Sequence, residues 1–460
     1  MEKRQNIPND LINGNISSAL FRLALPVMGT SFIQMAYNMI DTIWIGRLGS
    51  NEVAAVGTGG FYMWLAFGFI VLAKIGAQVN VAQSLGRRDL PAASRFSAAG
   101  LQSAILIGTI YTFLVYFFRV ELIGFFNIED AYVNQQAVNY LQIVVISIWF
   151  SFINEVFSGV IIGSGNSEFP FKVNVAGLIT NITLDPILIF GMGIIPAMGV
   201  RGAAVATLIS QCLVLSLYLT FIRKRNFEFL RAKLFEKLYW HEILSNARIG
   251  LPAGIQSVFF TFFSMSLARI VAAWGATAVA IQRVGGQVES ISWRTSDGFA
   301  AALSSFIGQN HGAGKKDRVV NGYMTAMRIM TLFGIFTSLL LIVFSRGIIS
   351  FFIPEEEAII LGSSYLRILG FSQLFMCVEI TTQGAFAGLG STKPPAIVSV
   401  LFNAMRIPAA LILSRTFLGL DGVWWSISGS SVFKGIISVV WFLWVLKKYK
   451  EVNVVGGTNE

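Results

Sequence analysis

The sequence predicts an all-α polytopic membrane protein, with twelve transmembrane helices arranged as two six-helix lobes related by a pseudo-twofold axis along the membrane normal. Three observations predict it. The first is composition: of 460 residues, 55% are hydrophobic and 13% charged, and mean hydropathy is +0.67. Apolar runs recur at or above the ~20 residues that cross a bilayer. The second is the placement of positive charge, and the third is an internal repeat.

In order along the chain, the spans fall at 16–46, 53–84, 95–118, 134–164, 168–192, 199–222, 249–273, 278–308, 319–344, 358–389, 394–416 and 422–446. Several exceed the length of a bilayer, which implies tilt or projection into water. The organisation read from these limits is an N-terminal segment (1–15), an N-lobe (16–222), a basic linker (223–248), a C-lobe (249–446) and a tail (447–460). The linker is expected to carry a short amphipathic helix on the membrane surface. The polar, mixed-charge start, Met1 to Asn15, does not read as a cleavable signal peptide.

Twelve spans put both termini and five connections on one face. That face carries 21 Lys and Arg residues, among them Arg87, Arg88, Lys315, Lys316, Arg318, Lys447 and Lys448. The opposite face carries 5: Arg47, Arg119, Arg201, Arg346 and Arg415. Glu121, Glu129, Asp130 and the Glu355-Glu356-Glu357 run also lie there. Short cytoplasmic loops are the positive ones, so both termini are expected in the cytoplasm. The net charge of +10 records this topology and contact with anionic lipid headgroups rather than a nucleic-acid partner.

The second half repeats the first at an offset of 226. Leu25-Pro26 meets Leu251-Pro252, Gly49 meets Gly275, Val53-Ala54 meets Val279-Ala280, and Gln83 meets Gln309. Farther on the offset drifts: Gly163 and Gly165 meet Gly388 and Gly390 at 225, and Gly199 and Gly202 meet Gly419 and Gly422 at 220. An even number of spans per repeat gives both halves the same orientation, hence an axis along the membrane normal.

Two lone acids stand inside apolar runs. Asp41 closes the first span, in Tyr37-Asn38-Met39-Ile40-Asp41, and Asp185 lies in the fifth, in Asn181-Ile182-Thr183-Leu184-Asp185-Pro186. An ionisable group in hydrocarbon costs several kcal/mol unless paired or hydrated, so it is by default a working residue. Both spans run outward from the cytoplasm, and at 1.5 Å per residue both acids land in the outer half of the bilayer. Asn181 is one turn from Asp185 on the same helix face, and Tyr37 one turn from Asp41, where its hydroxyl could donate to a carboxylate. Two close carboxylates in a low dielectric cannot both stay ionised without a counter-cation. The expected site therefore takes a proton, or a Na⁺ ion ligated by carboxylate and amide oxygens. Pro26 and Pro186 each withhold an amide from the preceding turn, so a bend at Pro26 is the candidate gate. The plainer alternatives are an interfacial Asp41 paired with Arg47, Asn181 as interhelical glue, Tyr37 as packing, and prolines that merely kink.

Leu25-Pro26, Tyr37-Asn38-x-x-Asp41, Gly46-x-x-Gly49, Gly163-Ser164-Gly165, Asn181-x-x-x-Asp185-Pro186 and the six-plus-six repeat together resemble the multidrug and toxic compound extrusion (MATE) family. The resemblance covers residues 14–450 and is nearest the family's DinF-like prokaryotic branch. It implies two lobes around a central cleft that opens alternately to either side, with efflux coupled to inward H⁺ or Na⁺.

The second half does not copy the acids: in register Asp41 falls on Leu267, Asn181 on Arg406 and Asp185 on Ala410. Ion coupling is therefore expected in the first lobe, with Arg406 either an internal cation or paired with an acid such as Glu379. In the eighth span Arg283, Gln287, Ser290, Arg294 and Asp297 share one helix face, flanked by Glu289 and Trp293. Such a ridge faces protein or a wet cleft, as a substrate surface or as a self-satisfied network in which Arg294 and Asp297 pair. Phe259, Phe260, Phe262, Phe263 and Met265 offer an apolar wall suited to flat amphipathic molecules. Lys74 and Glu155 are further intramembrane charges. Cys212 and Cys377 read as small core residues.

The expected function is a cation-coupled antiporter exporting amphipathic organic compounds by alternating access, in the cytoplasmic membrane of a prokaryote and as a monomer. No cofactor beyond the coupling ion is expected, and the partners are small amphipathic substrates and lipids. No phosphate-binding loop, HExxH, GxSxG or Cys/His cluster is present, so the chain does not read as an enzyme. The competing readings are a flippase of lipid-linked precursors with a related fold and an intramembrane aspartyl enzyme built on Asp41 and Asp185.

Overall fold

The computed structural model describes residues 11–128, 130–193, 195–224, 237–352 and 355–451. It is helical throughout, and among the described residues the single β feature is an isolated bridge between Met192 and Ile195. The helices are α1 (Ile16–Gly46), α2 (Ser50–Gly86), α3 (Leu90–Phe117), α4 (Arg119–Gly124), α5 (Ala131–Gly163), α6 (Glu168–Phe190), α7 (Val200–Lys224), α8 (Trp240–Ala272), α9 (Ala276–Gly312), α10 (Lys316–Val343), α11 (Ser345–Phe352), α12 (Glu356–Gly388), α13 (Lys393–Leu413) and α14 (Gly419–Glu451).

Twelve of these are long, and eleven are apolar enough to span a bilayer by composition alone. The remaining long helix, α9, is the one carrying Arg283, Glu289, Arg294 and Asp297. Two differences from the sequence reading have simple causes. The short helices α4 and α11 follow α3 and α10, and six or eight residues are too few to display a helical period. Helix α8 starts at Trp240, before its apolar run begins, because its first turns are polar and pack on their own unit. There Arg95 Nε lies 3.0 Å from Glu242, and Asn80 donates to Asn246 at 2.8 Å. The amphipathic helix expected in the linker falls largely on residues outside those described.

The repeat is visible in the backbone. Gly49 and Gly275, matched in sequence, both turn the chain between helices at positive φ (149° and 100°). Gly165 with Gly390 (94° and 77°) and Gly199 with Gly419 (55° and 52°) do the same. A side chain would strain these turns, which is why glycine recurs at the repeat interval.

By their contacts the described residues divide into two units, one within 29–254 and one of 11–28 with 255–451. The divisions fall inside α1 and α8 rather than in the linker, three residues beyond Pro26 and Pro252. They stand 226 residues apart (29 to 255), the repeat offset itself.

In the first unit α5 packs on α2, α3 and α7, around Tyr111, Tyr140, Phe152, Val156 and Phe157. Backbones approach closely at glycines: a Cβ on Gly250 would run into the Leu72 carbonyl, and one on Gly76 into that of Asn246. In the second unit α12 packs on α9, α10 and α14, around Phe299, Phe306, Phe386 and Phe442. The start of α1 is anchored there. Leu11 is fully buried, and its carbonyl accepts from Asn310 and Arg318, each at 3.0 Å. Arg318 also donates to the Gly14 carbonyl at 2.8 Å.

Candidate functional site

The site lies in the first unit, where side chains of α1 and α6 meet. They touch at Gly29, whose Cβ position is 2.6 Å from the Phe171 ring. They touch again where Ile45 and Ile189 share a small apolar cluster with Ala203 of α7. Asp41 is one turn before Ile45 and Asp185 one turn before Ile189, so the same packing that joins the aliphatic pair brings the two acids together. Asp41 is half-buried, and Asp185 and Asn181 are fully buried. The two carboxylates lie within electrostatic reach of each other.

Asn181 Nδ2 donates to Asp185 Oδ1 at 3.2 Å, the one-turn geometry expected from their spacing. Three oxygens of this group are buried and accept no hydrogen bond: Asp41 Oδ1, Asn181 Oδ1 and Asp185 Oδ2. Buried polar atoms are nearly always satisfied. Two carboxylates and one amide carbonyl are also the donor types a hard cation takes, so the residues fit either a shared proton or a Na⁺ ion.

One expectation is corrected, and one of the plainer alternatives is not formed. The Tyr37 hydroxyl donates to Thr207 Oγ1 of α7 at 3.0 Å rather than to Asp41, because α7 presents a hydroxyl directly opposite. Arg47 lies over the Trp44 ring, its guanidinium carbon 4.7 Å from the centroid, so the interfacial Asp41–Arg47 pair is not formed. Helices α1 and α6 run unbroken through Pro26 and Pro186.

Lys74 and Glu155, left without partners by the sequence, meet each other: Lys74 Nζ lies 2.7 Å from Glu155 Oε2. Gln34 of α1 donates to the other Glu155 oxygen at 3.2 Å.

The second unit is built differently at the corresponding place. Leu267 and Ala410 are buried in one apolar cluster, so the counterparts of Asp41 and Asp185 form dry core. Arg406 is buried and donates to the hydroxyls of Ser430 (2.5 Å) and Ser431 (3.0 Å) on α14. Glu379 takes a partner that sequence reasoning missed. Lys434 Nζ lies 3.2 Å from Glu379 Oε2, with both side chains buried. Gln383 donates to the other Glu379 oxygen at 2.9 Å, and Gln256 donates to Gln383 at 3.1 Å. Glu289 accepts from Gln373 at 3.4 Å. Two acids and two bases thus make a balanced, hydrogen-bonded interior. Lys434 inside an otherwise apolar span was the signal available.

The ridge on α9 divides. Glu289 turns to Gln373, while Arg283, Gln287 and Asp297 are exposed. The Arg294 guanidinium lies over the Trp293 ring, 5.1 Å from its centroid.

Comparison with known proteins follows the repeat. The family model described as MatE matches the chain twice, over residues 26–187 and 252–412, with starts 226 residues apart. A Thermotoga maritima protein named "Probable multidrug resistance protein NorM" is 30% identical over 431 residues, 93% of this chain and 92% of that one. The Bacillus subtilis "Probable multidrug resistance protein YoeA" is 24% identical, covering 87% and 88%. Among solved structures, one titled as a MATE in the bent conformation superposes with a TM-score of 0.91. It is 22% identical and covers 98% of this chain and 100% of that one. A MATE in the straight conformation gives 0.87 at 23% identity, covering 96% and 98%. With both halves of the sequence matching the family and the helical architecture shared end to end, the chain is a member of the MATE family of membrane transporters.

Proposed function

We propose that the protein is a cation-coupled antiporter that exports amphipathic organic compounds across the cytoplasmic membrane of a prokaryote, acting as a monomer with both termini in the cytoplasm. The observation that carries this reading is the trio of buried, unsatisfied oxygens from Asp41, Asn181 and Asp185. The multidrug resistance names of the relatives support drug-like substrates.

The coupling ion, H⁺ or Na⁺, neutralises the Asp41/Asp185 pair. In the unloaded state the carboxylates repel across the α1–α6 contact; in the loaded state they share the cation and draw together. The part of α1 that carries Asp41 belongs to the first unit, and the part before Gly29 to the second. A change in the Asp41–Asp185 contact is therefore taken up near Pro26, where the helix lacks one backbone hydrogen bond. Bending there opens the site to release substrate as the cation enters.

The test is dye efflux from proteoliposomes under an imposed pH or Na⁺ gradient. Transport that follows one gradient and stops when it is collapsed is the expected result. Transport indifferent to both gradients would contradict the reading.

A further inference from the structure

The Lys74–Glu155 pair has features that structural stapling does not require. A buried ion pair used only for packing is replaceable by apolar residues at little or no cost, and ionisable residues within a span mark a pathway or a ligand. These side chains remain 25% and 17% exposed, so neither is sealed into the packed interior. Lys74 lies along Gly159, where a Cβ would come 2.8 Å from Lys74 Cγ. The missing side chain makes the berth for the lysine. The neighbouring position is polar as well, with Asn154 donating to Gln211 Oε1 at 2.9 Å.

The pair is tied to the cation site through one face of α1. Gln34, Tyr37 and Asp41 follow i, i+3 and i+7, so they share a stripe about 10 Å long. Gln34 reaches Glu155, Tyr37 reaches Thr207, and Asp41 lies within electrostatic reach of Asp185. A ligand that takes Glu155 from Gln34 therefore acts on the same helix face that the coupling cation acts on.

Resting on the exporter reading above, we propose that Lys74 and Glu155 form a substrate contact selecting amphipathic zwitterions, with the ligand carboxylate at Lys74 Nζ and its cationic nitrogen at Glu155. Adjacent positive and negative charges are complemented by a ligand presenting the opposite order. A simple cation meets the Lys74 charge on approaching Glu155, and a simple anion meets Glu155 on approaching Lys74. The zwitterion exchanges one set of charge-assisted hydrogen bonds for another and leaves no buried charge unpaired.

The experiment uses the full-length protein in proteoliposomes and two fluorescent probes of one scaffold, a rhodamine with a free carboxylate (zwitterion) and its methyl ester (cation). The readout is the ratio of their cation-driven efflux rates. Lys74→Met and Glu155→Gln are each expected to lower the zwitterion-to-cation ratio by about ten-fold or more, the loss of one charged contact. The exchanged pair Lys74→Glu/Glu155→Lys, which keeps the ion pair, is expected to restore the ratio and serves where a single variant fails to accumulate. A ratio unchanged in the single variants, or both probes falling in parallel, overturns the proposal as a structural staple would predict. If the wild-type protein moves neither probe under any gradient, the exporter reading itself fails.

Discussion

At the scale of single residues, two buried acidic groups, one in each unit, contrast. The first leaves oxygens of Asp41, Asn181 and Asp185 without partners, and the second satisfies Glu379 with both Lys434 and Gln383. Different outcomes follow from substitution. Asn181→Ala removes one oxygen of the proposed cation site and one hydrogen bond to a carboxylate. It is expected to weaken cation dependence by about ten-fold, read as the half-saturating cation concentration for dye efflux, with little loss of fold. Lys434→Met strands a buried carboxylate and is expected to cost ~3–5 kcal/mol, measured by unfolding in detergent. Adding Glu379→Gln to Lys434→Met is expected to recover most of that loss, because no uncompensated charge is then left.

At the scale of helices, the glycines of the first unit mark where backbones touch. Gly250→Ala on α8 drives a Cβ into the Leu72 carbonyl and is expected to cost on the order of 1–3 kcal/mol. Gly60→Ala on α2 has nothing within 4 Å of the new Cβ. It is expected to be neutral or slightly stabilising in the same unfolding measurement. Sequence alone exposed much at this scale. The long helices were legible because a bilayer demands long apolar runs. Asp41, Asp185 and Asn181 were legible because polar groups in such runs stand out. Side-chain partners were not: Tyr37 finds Thr207, and Glu379 finds Lys434 rather than Arg406, on helices whose azimuth no periodicity specifies. The short helices α4 and α11 and the polar start of α8 were hidden for the converse reason, being too brief or too hydrophilic to register as spans.

At the scale of the whole molecule, the repeat and the unit boundaries coincide. Contacts divide the chain before Gly29 and before Ile255, at repeat-equivalent points just beyond Pro26 and Pro252, while the acids occur in one half only. On the proposed mechanism, asymmetric loading of a symmetric frame would give a single coupled ion site, with α1 as the element that the ion moves. The most direct test measures gradient-driven dye efflux, and its stimulation by the coupling cation, in the wild type and in Asp41→Asn with Asp185→Asn. Wild-type efflux that rises with the gradient, set against a folded double variant with no cation-driven component, is the predicted result. A double variant that still couples efflux to the cation gradient would contradict placement of the ion between α1 and α6.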